Sequence, residues 1–268
     1  MKAKPGPAKA GKTNPPQKKQ QQHRAERQAQ GERINRYLAS CGLCSRREAD
    51  RWIEAGRVSV NGKTITTPGL VVTATDRVCV DGKPVSPQTS KTYILYHKPA
   101  GLLCSRKDAR GRPLIYDALD LAPNVQSVGR LDMDSEGLLI LTDDGQLAQQ
   151  LTSPRTAIPR QYRVRITGHP DIETLEKLRQ GGIDLGRNDI SDAWNVVVDG
   201  ETKGHTWLTI TIHRGRWREV RRTLQACGHE VRRLIRVRFG PLKLGDLPRG
   251  AWRPLKAAEI KSLRQAAR

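Results

Sequence analysis

The sequence contains no apolar run long enough to cross a bilayer, and its first residues are polar. It therefore predicts neither a membrane span nor a secretory signal, and the expected location is the cytoplasm. Cysteine is also scarce, because the 268 residues include only five, scattered along the chain. This usage favours a reducing compartment over a disulfide framework. Cys41 and Cys44 have a spacing that occurs in zinc sites, but no second pair of ligands stands nearby, so no metal is expected.

Nucleotide-binding signatures are missing as well. No GxGxxG segment, P-loop or GxSxG motif stands between a predicted strand and a predicted helix, so no cofactor is expected. Acidic residues are too few to balance the basic ones, since 48 Lys and Arg face 27 Asp and Glu, with a net charge of +21 and a pI near 10.3. Such a charge favours a polyanionic partner, and we expect nucleic acid rather than an anionic membrane surface.

Residues 1–31 consist largely of Lys, Gln, Pro, Ala and Gly and show no apolar periodicity. This composition cannot bury enough surface to offset the entropy of ordering, so a disordered basic arm is expected. It would serve either as a nonspecific hold on nucleic acid or as a solubilising tail. The sequence favours neither of these two roles.

Residues 32–89 predict a small module of two helices and a hairpin-rich sheet. Apolar residues recur at helical spacing over residues 34–41, and residues 45–48 read Ser-Arg-Arg-Glu, a capping box that opens a second helix. Two alternating strand pairs come next, at residues 58–65 and 78–85, interrupted by an Asn-Gly and an Asp-Gly turn. The two helices are therefore expected to face each other across a tight turn, beside the sheet.

Arg46 and Arg47 stand at the start of the second helix, where backbone N–H groups and the helix dipole favour phosphate. They are candidate RNA contacts. The ordinary alternative for such a charge pair is a solvated cationic turn.

A polar linker at residues 87–91 leads to a larger predicted domain over residues 92–262, followed by a basic tail at residues 263–268. Strand and helix patterns mix irregularly in this domain, without regular strand–helix alternation. The predicted fold class is therefore α+β, with a largely antiparallel sheet in the larger domain.

The most informative segment is residues 129–145, which sets Asp132 between Arg130 and an apolar run. A carboxylate kept within so basic a chain indicates chemistry on RNA. An aspartate near glycine-rich turns is more often a cap or turn residue, and three nearby ones are interpreted in that way: Asp134, Asp143 and Asp144.

Two later segments carry the remaining candidates. Residues 160–166 place Tyr162 in a cationic strand, in a chain that is only 4% aromatic. Residues 214–222 open a helix whose apolar face lies apart from its arginines. Singly, the tyrosine could be half-buried packing and the arginines surface ion pairs.

The first module resembles a small RNA-binding module shared by a small-subunit ribosomal protein, bacterial tyrosyl-tRNA synthetases and several RNA-modifying enzymes. The resemblance rests on residues 33–38, 45–50 and 56–62. It implies that the turn between the helices and the following strand contact the RNA backbone. The residues it points to are Arg46, Arg47, Arg57 and Lys63.

The larger domain resembles the ribosomal pseudouridine synthases, in the branch that carries this RNA-binding module. The motifs are residues 129–145, the strand around Tyr162, and residues 215–222 with 228–236. Glu-Val-Arg-Arg and Gly-Arg-Pro, at residues 219–222 and 111–113, resemble the large-subunit (23S) enzymes more than the small-subunit one. The resemblance implies cofactor-independent conversion of a uridine to pseudouridine in ribosomal RNA or in a pre-ribosomal particle, with no obligate protein partner.

By this resemblance Asp132 is the catalytic carboxylate, acting either by covalent attack or by removing a ribose proton. Arg221 would form an ion pair with it, offsetting the rise in its pKa that desolvation causes. Tyr162 would stack on the extruded base and assist proton removal. Arg130 is a candidate for filling the emptied stack or binding phosphate, and Arg218 for contacting RNA.

Other functions remain compatible with the sequence. One is a non-catalytic RNA-binding protein of ribosome assembly, and another is the same chemistry on small-subunit RNA. A third is a nucleic-acid glycosidase that uses Asp132 and Asp134 as a carboxylate pair. The geometry expected for two carboxylates this close in the chain is poor for that reaction.

Overall fold

The structure is a computed structural model that describes residues 31–186 and 188–268. The predicted basic arm therefore lies outside the described residues, apart from Gly31. The chain divides into two compact units between Gln88 and Thr89. Within the described ranges, no helix is both long and apolar enough to cross a membrane, and no three His, Cys, Asp or Glu side chains are grouped to hold a metal ion.

The described residues of the first unit form two helices and six short strands. The elements are β1 (Glu32–Arg33), α1 (Ile34–Ser40), α2 (Arg46–Glu54), β2 (Val58–Val60), β3 (Lys63–Ile65), β4 (Val71–Val72), β5 (Val78–Val80) and β6 (Lys83–Pro84). Strands β3, β2, β5 and β6 form an antiparallel sheet in that order, and β1 pairs with β4.

Local sequence explains this unit well. Ser45 caps α2 by accepting a hydrogen bond from the Glu48 backbone N–H at 3.2 Å, which is the serine half of the expected capping box. Both residues of the Asn61-Gly62 turn have positive φ, as a tight hairpin turn requires. Ile34 and Ile53, one from each helix, are fully buried in a core shared with the sheet.

In its described part, the second unit is built on a mixed sheet of nine strands with four α-helices. Its strands are β7 (Tyr93–Lys98), β8 (Gln126–Ser127), β9 (Glu136–Thr142), β10 (Arg160–Thr167), β11 (Asn195–Thr202), β12 (His205–Ile212), β13 (Val231–Phe239), β14 (Leu242–Lys243) and β15 (Trp252–Pro254). Its α-helices are α3 (Gly145–Thr152), α4 (Ile172–Gln180), α5 (Glu219–Ala226) and α6 (Ala257–Ala266).

The main path of the sheet runs β11-β12-β10-β13-β9-β7-β15. Its pairs are antiparallel except β13 with β9, so the α+β, largely antiparallel prediction is confirmed. Strand β9 lies near the centre and is buried along its whole length. Leu139 and Leu141 face one core, whereas Leu138 and Ile140 face the other. The loop before β9 is thereby held against the middle of the sheet.

Gly137, near the start of β9, allows the close approach of β9 to β13. Its φ is +111°, and an added Cβ would be 2.3 Å from the Arg236 carbonyl oxygen. A side chain would therefore collide with backbone that cannot move aside, and only glycine fits at this position.

The C-terminal segment differs from its prediction, because α6 continues through residues expected to form a basic tail. Leu263 is fully buried and Ala267 nearly so, and both pack in the second core. These apolar contacts extend the helix to Ala266, and the segment is part of the folded unit.

Candidate active site

A cleft of about 590 Å³ opens in the second unit beside the start of β9. The loop before β9, strands β10 and β13, and the loop before α5 all contribute to its walls. Side chains from these four segments line it together: Arg130, Asp132, Tyr162, Trp217, Arg218, Leu234 and Arg236. The structure thus brings Asp132, Tyr162, Arg130 and Arg218 into one cavity. Arg221 lies just outside its lining.

Lys98, the last residue of β7, fixes the loop that carries Asp132. Its side chain is fully buried. Its ammonium donates hydrogen bonds to the carbonyl oxygens of Asp132 at 3.1 Å and Ser135 at 2.8 Å, and also to those of Pro99 at 3.0 Å and Met133 at 3.4 Å. Burial lowers the pKa of this lysine, opposed by the nearby acidic groups. One cation therefore ties together several backbone carbonyls in and beside this tight loop, in addition to the hydrogen bonds that the Asp132 and Met133 carbonyls accept from the backbone N–H groups of Ser135 and Gly101.

The Asp132 carboxylate is half-buried and faces the cleft. Among the described residues it has no hydrogen bond or ion pair with another side chain. Burial raises its pKa and the negative charge of Asp134 adds to this, while Arg218, Arg221 and Lys98 act in the opposite direction through their charges. The result is an accessible carboxylate whose pKa is higher than usual, within a cationic surround.

The carboxylate that the arginines bind directly is Asp134. Its two oxygens accept hydrogen bonds from Arg218 at 3.1 and 3.2 Å, and Arg221 approaches to 3.3 Å. Partial burial raises the pKa of Asp134, but the Arg218 hydrogen bonds and both positive charges outweigh it and hold the pKa below its usual value. Asp134 does lie in a turn, as expected, but its side chain is part of this ion-pair cluster rather than a cap.

The prediction that Arg221 forms an ion pair with Asp132 is therefore wrong, because Arg221 pairs with Asp134 instead. Arg221 donates to the Asp134 carbonyl oxygen at 2.8 Å and to that of Val231 at 3.0 Å. These bonds, in addition to the Asp134 carboxylate, direct the guanidinium to Asp134, and it acts on Asp132 only through its charge.

The other two aspartates of this segment behave as expected for cap and turn residues. Asp144 caps α3 by accepting a hydrogen bond from the Leu147 backbone N–H at 3.0 Å. Asp143 accepts one from the Thr92 backbone N–H at 2.8 Å. Neither side chain lines the cleft.

Tyr162 lies on β10, opposite Arg236 of β13 and Ile210 of β12. It is 7% exposed, and together with Leu234 it forms an apolar part of the cleft wall that is continuous with the core. This arrangement suits a ring that packs on one side against the protein and meets a ligand on the other.

Several further arginines of the cleft were not predicted, among them Arg160 and Arg236. Arg160 and Arg236 both lie near the Phe239 ring, with their guanidinium carbons 5.3 and 5.2 Å from its centroid. Arg236 is 2% exposed and donates to the Leu138 carbonyl at 2.8 Å, while its Nη2 is buried with no hydrogen-bond partner in the described ranges. Arginines in cationic strands give no sequence signal that distinguishes a buried one from an exposed one.

The loop before α5 is held by a network that also lay beyond sequence analysis. Arg216 forms ion pairs with Asp189 at 2.8 Å and Asp192 at 2.7 Å, and Arg222 with Asp189 at 2.7 Å. Arg218 has a left-handed backbone, at φ +49°, and stands at the N-terminal end of α5. The network thereby sets where the Arg218 guanidinium meets Asp134.

In the first unit, Arg46, Arg47 and Lys63 are exposed, and none of them has an ion pair within the part of the chain that the structure describes. Arg57 differs, because it donates to Asp81 at 3.0 Å and lies over the Trp52 ring at 4.7 Å from the centroid. Three of the four predicted RNA contacts are therefore free to meet phosphate, and the fourth has an acidic partner.

Two family models match the chain: RNA pseudouridylate synthase over residues 92–226 and the S4 domain over residues 32–78. An uncharacterized RNA pseudouridine synthase of Aquifex aeolicus (strain VF5) is 41% identical over 87% of this chain and 94% of its own length. The ribosomal large subunit pseudouridine synthase B of Bacillus subtilis (strain 168) is 37% identical over 88% and 97%. A solved crystal structure of pseudouridylate synthase superposes with a TM-score of 0.63 at 28% identity, over 86% of this chain and 99% of that one.

Proposed function

The chain belongs to the RNA pseudouridylate synthase family, and from this premise we propose that it converts a specific uridine of large-subunit ribosomal RNA to pseudouridine. The observation that carries the proposal is Asp132, an accessible carboxylate without a side-chain partner among the described residues, in a cleft whose lining includes several arginines and apolar side chains. A protein that only binds RNA has no chemical need for such a group.

The isomerisation breaks the bond between ribose C1′ and N1 of uracil and forms a bond between C1′ and C5. The C5 proton leaves and N1 gains a proton, so the overall reaction needs no external reagent. We assign Asp132 to the ribose side of this reaction, either attacking C1′ or removing a ribose proton. Its raised pKa makes it a stronger base than a free aspartate, while the nearby positive charges keep its ionised form accessible.

Tyr162 is assigned to the base. The uridine must leave its stack to reach the cleft, and an aromatic wall compensates for the lost stacking. The cleft volume of about 590 Å³ lies within the range of ligand pockets. Once the C1′–N1 bond is broken, the detached base has to turn without escaping, which the apolar contacts of Tyr162 and Leu234 favour. The Tyr162 hydroxyl would then assist removal of the C5 proton.

Arg218 and Arg221 are assigned to electrostatics. Two guanidinium groups against the single carboxylate of Asp134 leave a net positive charge next to Asp132. That charge favours both an ionised Asp132 and a nearby RNA phosphate. Arg130, exposed at the cleft and without an ion pair among the described residues, is free to bind phosphate or to occupy the position that the uridine leaves.

The first unit is assigned to docking on the RNA backbone. Arg46 and Arg47 begin α2, whose N-terminal N–H groups and dipole add to their charges, and Lys63 lies on the following sheet. The large-subunit assignment is supported by the name of the Bacillus subtilis relative. The residues Glu-Val-Arg-Arg at 219–222, which include Arg221, are consistent with it.

The test is pseudouridine mapping of ribosomal RNA from cells that lack the protein and are complemented with the wild type, Asp132→Asn or Asp134→Asn. Each variant removes one carboxylate from the same loop. Asp132→Asn should abolish formation of pseudouridine at one discrete large-subunit site while RNA affinity persists. Asp134→Asn should reduce the rate but leave measurable product, because it removes a partner of the arginines and not the reacting group.

Turnover by the Asp132→Asn protein would overturn the catalytic assignment. Loss of pseudouridine from small-subunit RNA alone would overturn the substrate assignment but not the chemistry. Unchanged pseudouridine in cells that lack the protein would favour a binding role in ribosome assembly.

A further inference from the structure

Trp217 is 65% exposed, and it lies in the short loop between two arginines that precedes α5. It also lines the same cleft as Asp132. The other strongly exposed tryptophan in the described ranges, Trp252, is on β15 at the edge of the sheet and does not reach the cleft. A large aromatic side chain at the mouth of the reactive cavity is therefore a separate feature of this chain that catalysis by Asp132 does not account for.

The loop holds the indole in a defined place. The backbone N–H of Arg216 donates to the Glu219 carboxylate at 2.9 Å, and the Arg216 side chain is tied to Asp189 and Asp192. Arg222 lies over the indole at 5.6 Å from its centroid and donates to the Trp217 carbonyl at 3.4 Å. One face of the ring is thus backed by a guanidinium, and the exposure of the residue leaves the rest of the ring open to a ligand.

Isolated exposed apolar residues are common on protein surfaces and need no explanation. Trp217 differs in its setting, because the cleft rim around it is cationic. Arg218 follows it directly, and Arg130 lines the same cavity from the loop before β9. An aromatic face beside positive charges is the arrangement that binds single-stranded nucleic acid, with stacking for the base and charge for the phosphate.

We propose that Trp217 is a stacking residue for a second, unpaired base of the RNA, adjacent to the uridine that enters the cleft. The proposal rests on the proposed function, since it adds a neighbouring nucleotide to the same site. Every base has a flat face, so the indole selects for a base that is unstacked from its neighbours rather than for its identity. The consequence is that this enzyme requires an RNA whose nucleotide next to the target is free of its own stack.

The experiment compares Trp217→Leu with Trp217→Tyr on the RNA fragment that contains the mapped site. Leucine keeps apolar bulk against Arg222 but cannot stack, whereas tyrosine can. We expect Trp217→Leu to raise KM roughly 5- to 100-fold with kcat little changed, and Trp217→Tyr to restore most of the loss. Melting temperatures of both variants equal to that of the wild type would show that neither substitution disturbs the fold.

A matched set of RNAs identifies the base. An abasic nucleotide is placed at each position flanking the target uridine in turn. At one position the abasic RNA should raise KM for the wild type to the value of the leucine variant, and it should leave that variant unaffected. A wild-type KM for Trp217→Leu, or equal losses for both proteins at every abasic position, would overturn the proposal.

If the proposed function itself is wrong, the experiment gives a different result. In that case the wild type forms no pseudouridine in large-subunit RNA, and stacking is measured as equilibrium binding of a fluorescently labelled oligouridylate. Weaker binding by Trp217→Leu than by the wild type or Trp217→Tyr would then support the stacking role, and identical binding by all three would refute it.

Discussion

Two arginines of the first unit and three beside the cleft are in opposite states. Arg46 and Arg47 are exposed at the start of α2, without an ion pair in the described part of the chain. Arg218 and Arg221 share Asp134, and Arg216 bridges two aspartates. A free guanidinium can bind phosphate at once, whereas a paired one must first lose its partner. The basic side chains that give the chain its high net charge thus fall into two groups. Unpaired ones attract RNA, and paired ones hold the site together.

The largest effect of a substitution is expected at Lys98, whose buried ammonium holds the Asp132 loop in place and does not meet RNA. Lys98→Met removes the donor to four carbonyls in and beside the Asp132 loop. We expect kcat/KM to fall by at least ~100-fold, as for a misplaced catalytic group, and the free energy of unfolding to fall by about 3 kcal/mol because these carbonyls lose the ammonium as a donor. Single-turnover assays and urea unfolding measure the two effects.

The matched control is Lys243→Met, which removes the same charge from an exposed residue of β14. It should leave both quantities close to the wild type. Equal activity of Lys98→Met and Lys243→Met would show that the loop keeps its shape without the buried ammonium.

A smaller effect is expected at Arg221. Its charge lowers the pKa of Asp132, which burial raises. Activity needs the ionised carboxylate and is lost as the pH falls through that pKa. Arg221→Gln should therefore move the acid limb of the pH dependence of kcat/KM to higher pH. We also expect a loss of roughly 10- to 50-fold near neutral pH, less than that of a donor in contact with the developing charge.

Arg232→Gln is the control for this pH profile, because Arg232 is paired with the exposed Glu230 at 3.1 Å. Its acid limb should coincide with that of the wild type. A profile for Arg221→Gln that is lower but not displaced would mean that Arg221 acts only by positioning the Asp134 loop.

The smallest effect, and the one that sharpens the comparison most, is expected in the first unit. The double variant Arg46→Gln/Arg47→Gln removes two free charges, and Arg36→Gln/Arg51→Gln removes two charges paired with Glu32 and Glu48. The first should reduce the slope of log affinity against log salt by about 1.5 to 2, with kcat unchanged. The second should change the slope less. Identical slopes would mean that pairing does not decide which arginines bind RNA.

Local sequence was sufficient for the elements with short-range causes. The Ser45 cap, the Asn61-Gly62 turn and the buried strand β9 each result from neighbouring residues. The meeting of Asp132, in the loop before β9, and Tyr162, on β10, in one cleft was expected from the resemblance to the pseudouridine synthases rather than from neighbouring residues.

Long-range choices were not available from the sequence. Asp132 and Asp134 are two residues apart, and only the carbonyls that orient Arg221 decide which of them it pairs with. In the sequence, Lys98 looks like any lysine at the end of a strand, and only the folded loop shows that it is buried. Asp189 and Asp192, which hold the loop of Trp217, lie in a segment with no distinctive pattern.

The parallel pairing of β9 with β13 also sets when the enzyme can first work. It joins Glu136 to Ile235 and Gly137 to Arg236, contacts that span about a hundred residues of chain, and such non-local contacts form slowly and late. During synthesis, Asp132 leaves the ribosome well before Arg218, Arg221 and β13 have been made. A nascent chain at that stage has the reactive carboxylate but no cleft, so modification of RNA begins only once β13 has also emerged and paired with β9.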